Sequence, residues 1–323
     1  HAAAMSYTRI ACGLIVFSFM TLTLTGLYTA QGDSKTPFLA NLIGLVTNMI
    51  LDPVLILGSG PFPKLGVIGA AIATVTAQAI VMSIMVLAII VRKKENVLKG
   101  IKLLAKIPEE YLSGICRIGI PTAIQGMAYC AISMVLTRMV SGYGAEAVAT
   151  QRVGGQIESI SWNTADGFAA ALNAFIAQNY GAGLMRRARK ALHYGIAVSF
   201  SIGVVMFLIT FFHGNLLAGI FSSDTEVVLA AADYLKAYAI DCLFTAIFFC
   251  YTGFYNGIGK TRFVMIQGIL GAFFVRVPVS YIMSIQPDAS LFHIGLATPM
   301  SSILQLVLCV GFMLILQRRG ELN

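Results

Sequence analysis

Asp52, Glu158, Asp166, Asp241 and Arg276 are among the ionisable side chains that interrupt otherwise apolar runs of this sequence. An ionised group in hydrocarbon costs about 2.5–3.5 kcal/mol on insertion scales, so each must have a partner or a task. Asn48 precedes Asp52 by four residues, which sets an amide and a carboxylate one helical turn apart on one face. Such a pair can offer oxygens to a small cation or hold a proton between its members. Asp52 can equally bond backbone near a helix end, because Pro53 follows it. Glu158 and Asp166 lie on one run with Trp162 between them. Burial favours the protonated form of a carboxyl, which fits Glu158 for trading a proton against a cation. The competing reading pairs Glu158 with Arg152, six residues earlier and off its face. Asp166 sits beside Gly167 among small residues, a setting that also suits plain helix packing. Arg276, two residues before Pro278, reads as structural, paired with a carboxylate or capping backbone.

Other reactive residue types form no constellation. Cys12, Cys116, Cys130, Cys242, Cys250 and Cys309 make no CxxC pair, and all but Cys116 fall in apolar runs, as small apolar packing residues would. His193, His213 and His293 show no metal-ligand spacing. Neither HExxH, nor GxSG, nor a paired catalytic motif occurs, so no enzyme and no cofactor is expected. Met127, Met134, Met139, Met265 and Met283 could form a pliable binding surface, but ordinary core or lipid packing is the better reading.

The elements that must carry these groups are long apolar segments. The chain has 323 residues, 58% of them hydrophobic and 11% charged. A soluble core could not hide that much apolar surface, so lipid must be part of the solvent. Nine segments are long enough to span a bilayer: 7–30, 38–58, 66–91, 118–141, 148–178, 190–212, 228–256, 263–285 and 293–317. Gly66 to Val91 contains no charge at all. The net charge of +8 does not point to nucleic acid, because the basic residues cluster in alternate loops. Lys35, the stretch from Arg92 to Arg117, Arg186 to Lys190, Lys260 with Arg262, and Arg318 with Arg319 hold sixteen of the 22 Lys and Arg. The positive-inside rule makes that side cytoplasmic, with the C-terminus inside and the N-terminus outside. The longest loop alternates apolar Leu98, Ile101 and Ala105 with Lys99, Lys102 and Lys106. It reads either as an interfacial amphipathic linker or as a solvated loop that only orients the chain. Pro108 with Glu109 and Glu110 marks a helix start.

The sequence also repeats itself. Gly26-Leu27-Tyr28 and Gly32 recur as Gly253-Phe254-Tyr255 and Gly259, an offset of 227. Tyr7 matches Tyr234 at the same offset, and Ile68-Gly69 matches Ile294-Gly295 at 226. The first three segments therefore repeat the last three, while the middle three have no partner. A plan of two parallel six-helix halves would place three more helices, on the order of 110 residues, before residue 1. The opening His1-Ala2-Ala3-Ala4, running almost directly into an apolar stretch, reads as a cut end.

Several of these residues fall in an order that resembles the multidrug and toxic compound extrusion (MATE) family. Gly32-Asp33-Ser34-Lys35-Thr36-Pro37 looks like that family's G-D-T-K-T-P loop. Asn48, Asp52, Gly58 and the run Gly66 to Thr74 are similar to its fifth and sixth helices. Gln178-Asn179-Tyr180-Gly181-Ala182-Gly183 resembles the loop after the eighth, and Arg276-Val277-Pro278 the R-x-P of the eleventh.

The resemblance implies an all-α, two-lobe, twelve-helix transporter of which these segments are helices 4–12. Residues 1–95 would be a partial N-terminal lobe, 96–117 a basic cytoplasmic linker and 118–323 the C-terminal lobe. It implies alternating-access export of cationic amphipathic compounds against sodium ions or protons, by a monomer in the cell membrane. One branch of the family holds its cation or proton at positions matching Tyr7, Asn48, Asp52 and Thr74, together with an Asp on helix 1. Glu158 resembles an acidic residue frequent in the family. The Asp of the sodium-driven branch would fall at Thr245, one turn after Asp241. Gln178 and Asn179 are carried over as structural. A lipid or polysaccharide flippase of the same superfamily is the alternative. It would gather Lys and Arg in the cavity to hold phosphates, whereas acidic residues prevail among the expected cavity charges.

Overall fold

The computed structural model describes residues 2–58, 63–91, 108–143, 145–284, 286 and 291–322, and among these every regular element is helical. All nine expected segments are helices. The first is bent: α1 (Ala2–Gly13) and α2 (Val16–Ala30) meet at 45° across Leu14 and Ile15. Next come α3 (Lys35–Leu57), α4 (Val67–Val91), α5 (Glu109–Val140), α6 (Ala145–Gly181), α7 (Met185–Phe212) and α9 (Thr225–Gly257). The eighth segment runs from α10 (Thr261–Ile269) through a π-helical turn (Leu270–Arg276) into α11 (Val277–Ser284), and the ninth is α13 (Ala297–Arg318). Two short helices are additional: α8 (Gly214–Phe221), outside the expected segments, and α12 (Leu291–Gly295), which overlaps the start of the ninth.

Among the described residues, seven helices are long and apolar enough to cross a membrane, or eight if the bent pair is one span. Helix α6 is long enough at 37 residues, but Arg152, Glu158 and Asp166 dilute its apolar character. Large apolar side chains stand on outer faces, among them Leu22 (68% exposed), Phe38 (64%) and Phe274 (70%). Helices satisfy their own backbone, so faces of this kind suit contact with lipid. The same principle separates the cysteines. Cys242, Cys250 and Cys309 are buried in protein, whereas Cys12 and Cys130 are exposed on helices whose apolar faces need no protein cover.

The chain forms two compact units, residues 1–106 and 107–323. In the first, α4 packs against α1, α2 and α3 over a core of Leu24, Tyr28, Ala40, Val81, Met85 and Ile89. Close approach of α3 to α4 depends on small residues. A Cβ on Gly44 would meet Val81, and one on Gly69 would sit 2.5 Å from the Leu55 carbonyl oxygen. In the second unit α9 is the central pillar, packing on α6, α7, α8, α12 and α13. Its crossing with α6 rests on Gly253, where a Cβ would stand 2.4 Å from the Ala169 carbonyl oxygen. Helix α5 begins at Glu109 after Pro108, so residues 109–117 are helical; the amphipathic pattern at 96–107 lies outside the described residues.

The repeat persists in atomic detail. After α2, Gly32 takes φ 82°, its N–H donates to Thr29 O at 3.0 Å, and Asp33 N–H donates to Tyr28 O at 3.0 Å. After α9, Gly259 takes φ 75°, its N–H donates to Asn256 O at 3.0 Å, and Lys260 N–H donates to Tyr255 O at 2.8 Å. Both are Schellman caps, and the left-handed backbone at their centre favours glycine. The tyrosines repeat as well. Tyr28 Oη donates to Met85 O on α4 at 2.8 Å, and Tyr255 Oη to Cys309 O on α13 at 2.6 Å.

Candidate functional site

Glu158 and Asp241 come from the two helices that pack most intimately, α6 and α9. Tyr238 Oη on α9 donates to the Glu158 backbone carbonyl at 3.2 Å, which fixes their register. One helical turn before Tyr238, the Tyr234 hydroxyl hydrogen-bonds the Glu158 carboxyl itself, while Glu158 Oε1 is buried without a partner. Asp241 is fully buried. Thr245 Oγ1 donates to its Oδ2 at 2.8 Å, and Ser302 of α13 and the Trp162 indole lie within bonding range of the same carboxyl. Asp241 Oδ1 is left unpartnered. A buried polar atom without a partner costs about 1–3 kcal/mol, so each of these oxygens is a place where a further hydrogen-bond donor would be stabilising. Thr245, the position that the family pattern assigns to an Asp, thus joins Asp241 in one site.

Of these groups, Glu158 and Tyr234 line a cavity of about 420 Å³ between α5, α6, α9 and the π-helical turn. Glu158, Tyr129, Tyr234 and Arg276 are its inner lining, half-buried or buried. Ser133, Thr137 and Arg152 are exposed at its mouth. Gln305 of α13 reaches Tyr129, and Trp162 stacks edge-on against it with centroids 6.3 Å apart.

Arg276 reaches the cavity because of Pro278. Proline has no N–H and its ring collides with the carbonyl four residues earlier, so the helix opens by one residue. Val277 N–H accordingly bonds Ala272 O, five residues back. Gly271 makes room for the Gln305 side chain, whose Nε2 would lie 2.5 Å from an added Cβ. Among the described residues Arg276 has no ion pair within 4.0 Å, although it lies within electrostatic range of Glu158 and Asp241. Arg152 has none either and makes no pair with Glu158. The cavity charges therefore differ from the mostly acidic set read from sequence: the lining holds two arginines and one glutamate.

The remaining candidates separate. Asp166 is exposed and does not line the cavity. Gln178 and Asn179 end α6 in a Schellman cap, with Leu184 N–H donating to Asn179 O at 2.8 Å and Gly183 N–H to Tyr180 O at 3.0 Å; Asn179 Nδ2 also donates to Phe175 O at 2.7 Å. In the first unit, Asn48 Nδ2 and Asp52 Oδ1 are buried and unpartnered, one turn apart on α3. The α3–α4 contacts at Gly44 and Gly69 set Thr74 level with them, although Thr74 Oγ1 donates to its own helix at Ala70 O, 2.9 Å away. Tyr7 lies on α1, which packs on α4, and is 36% exposed.

Residue patterns had missed Tyr129, Tyr234 and Gln305 as site residues. The repeat carried a signal for two of them. Tyr234 answers Tyr7, and Gln305 answers Gln78, both at the offset of 227. Gln78 accepts a hydrogen bond from Ser18, whose counterpart at that offset is Thr245, the partner of Asp241.

Comparison with known proteins decides the family. The family model described as MatE matches residues 121–282, half of the chain and most of the cavity-bearing unit. The chain belongs to the MatE family. A second model, described as Lipid II flippase MurJ, matches residues 3–141 of this MatE protein. Among curated relatives, it is 27% identical over 97% of its length to the "Probable multidrug resistance protein YoeA" of Bacillus subtilis, covering 67% of that protein. It is 28% identical over 88% of its length to the "Multidrug export protein MepA" of Staphylococcus aureus, covering 61% of it, and 29% identical over 62% of its length to the "FAD transporter" of Shewanella oneidensis, covering 44% of it. The chain thus spans about two thirds or less of these relatives. A solved outward-facing multidrug resistance MATE transporter matches 99% of this chain with a TM-score of 0.87 at 21% identity, covering 70% of that chain. The protein is a multi-pass membrane protein with the MATE fold.

Proposed function

We propose that this MatE protein is part of an antiporter that exports amphipathic small molecules, cationic ones among them, in exchange for sodium ions or protons. The observation that carries this reading is Glu158, a carboxyl that keeps one oxygen unpartnered in the wall of a cavity of drug-binding size, with the unpartnered Asp241 oxygen on the neighbouring helix behind it. A carboxyl of this kind is driven to take either a proton or a cation, and cargo and coupling ion then compete for it. Asn48 and Asp52 offer a second such place in the first unit. Exchange at these sites would bias alternating access, with the C-terminus cytoplasmic and the protein in the cell membrane. Curated relatives carry multidrug names, which supports small-molecule cargo. A flippase role is the second reading, favoured by the MurJ match over residues 3–141.

Efflux of a fluorescent cationic dye from energised, efflux-deficient cells tests the proposal. This chain would be compared with a version extended by three N-terminal helices from a MATE relative, and with that version carrying Asp52→Asn or Glu158→Gln. Dye export by the extended chain, lost in the isosteric variants, is the expected result. No dye export by either parent overturns the antiporter reading and moves the flippase forward.

A further inference from the structure

The exchange just proposed uses the cavity's carboxyl and leaves its guanidiniums without a role. Arg152 and Arg276 reach one cavity of about 420 Å³, and neither has an ion-pair partner among the described residues. Arg276 is half-buried and is brought there by a π-helical turn, a local distortion that recurs at functional sites. Arg276 lies within electrostatic range of Glu158 and Asp241, but neither carboxyl comes within 4.0 Å of it, so its N–H fork is not taken up by a direct ion pair. A guanidinium presents a planar fork of N–H donors that matches an oxyanion, carboxylate or phosphate, in bidentate geometry. Neutral donors stand beside it in Ser133, Thr137 and Tyr129, and Leu136 and Val148 supply apolar wall.

We infer that this cavity binds the oxyanion of an amphipathic ligand, a carboxylate or phosphate, at Arg152 and Arg276, with the ligand's apolar body against the α5 wall. Glu158, in the same cavity, could receive an ammonium on the same ligand, so zwitterions are accommodated along with anions. This rests on the reading of the cavity as the cargo site, and it changes the class of cargo: positive charge is no longer required.

The test uses the full chain in phosphatidylcholine nanodiscs and the emission of Trp162, the single tryptophan, which packs on cavity-lining Tyr129. Octanoate and octyl phosphate are titrated against octylammonium, which shares their chain. Both anions should shift the emission saturably and half-saturate below octylammonium. Arg276→Gln and Arg152→Gln should each weaken the anions about tenfold, the loss of one charge-assisted hydrogen bond, and spare octylammonium. Arg152→Gln lies at the exposed mouth and keeps the test open should Arg276→Gln not fold. Discs containing phosphatidylglycerol separate the sources of oxyanion. Competition that disappears in the arginine variants assigns the site to a lipid headgroup, and its absence assigns the site to a free solute. Tighter binding of octylammonium than of octanoate, anion binding unchanged in both variants, or no emission change with any probe overturns the inference. Dye efflux is read separately, so failure here leaves the antiporter reading standing.

Discussion

Single side chains at the two ends of the fold show how environment decides a residue's role. Asp241, fully buried between α9 and α13, keeps Thr245 as its donor and holds one oxygen open. Glu321, past the end of α13, is instead a surface anchor. Lys260 Nζ donates to its Oε2 at 2.7 Å, and that bond lowers the Glu321 pKa below the ordinary carboxylate value. The next residue, Leu322, is 1% exposed and belongs to the core around Phe254 and Leu316. A depressed folded pKa means that this stabilisation is fully present above the ordinary carboxylate range and is lost as pH falls through the folded value. Protection of the amides at residues 319–322, taken relative to the intrinsic exchange rate at each pH, should therefore fall on acidification through that range. Lys260→Gln should remove the added pH dependence, and protection that does not change in acid would show that the pair does not hold the C-terminal segment.

Helix packing tests the same sequence signal in two settings. Gly26 and Gly253 are equivalent in the repeat, but only Gly253 is pressed against a neighbour, the Ala169 carbonyl of α6; a Cβ on Gly26 meets nothing within 4 Å. Gly253→Ala should lower stability by about 1–3 kcal/mol, the usual cost of overpacking. Gly26→Ala should be neutral or gain up to about 1 kcal/mol from the lower entropy of the unfolded helix. Melting temperatures of this chain in detergent compare the two directly, and equal losses would contradict the packing described. The π-helical turn belongs to this scale as well. Pro278 removes a bond from the ladder of its helix, and from sequence Arg276 beside it reads only as a structural pair or a backbone cap. That the opening delivers Arg276 into a cavity depends on α5 and α6, which are remote in sequence.

Across the whole chain, two units carry the same construction marks. Tyr28 and Tyr255 each sit in a buried cluster, each donates to a carbonyl of a later helix, and each precedes a left-handed glycine cap. Because the clusters lie in separate units, their energies should add. Tyr28→Phe and Tyr255→Phe should each cost about 1 kcal/mol, one buried hydrogen bond, and the double variant the sum within about 0.5 kcal/mol. A double-mutant cycle on thermal unfolding measures this, and a larger coupling would show that the two tyrosines share one cooperative core.

The sequence by itself determined the spans and their order, because those follow from local physics. Apolar length fixes what can cross a bilayer, and Gly32, Gly183 and Gly259 end helices through their own backbone freedom. It also exposed the repeat, since equivalent helices need the same small and aromatic residues at the same spacing. Which charges share a cavity was decided only by tertiary structure. Tyr129, Glu158, Tyr234 and Arg276 come from four separate spans, so no spacing within a helix brings them together. The sequence set Glu158 and Asp166 on one run and favoured Glu158, since small residues beside Asp166 also suit helix packing; the structure puts only Glu158 at the cavity. The sign of the cavity was likewise hidden, because Arg152 and Arg276 are distant in the chain and meet only when α6 and the π-helical turn line one space.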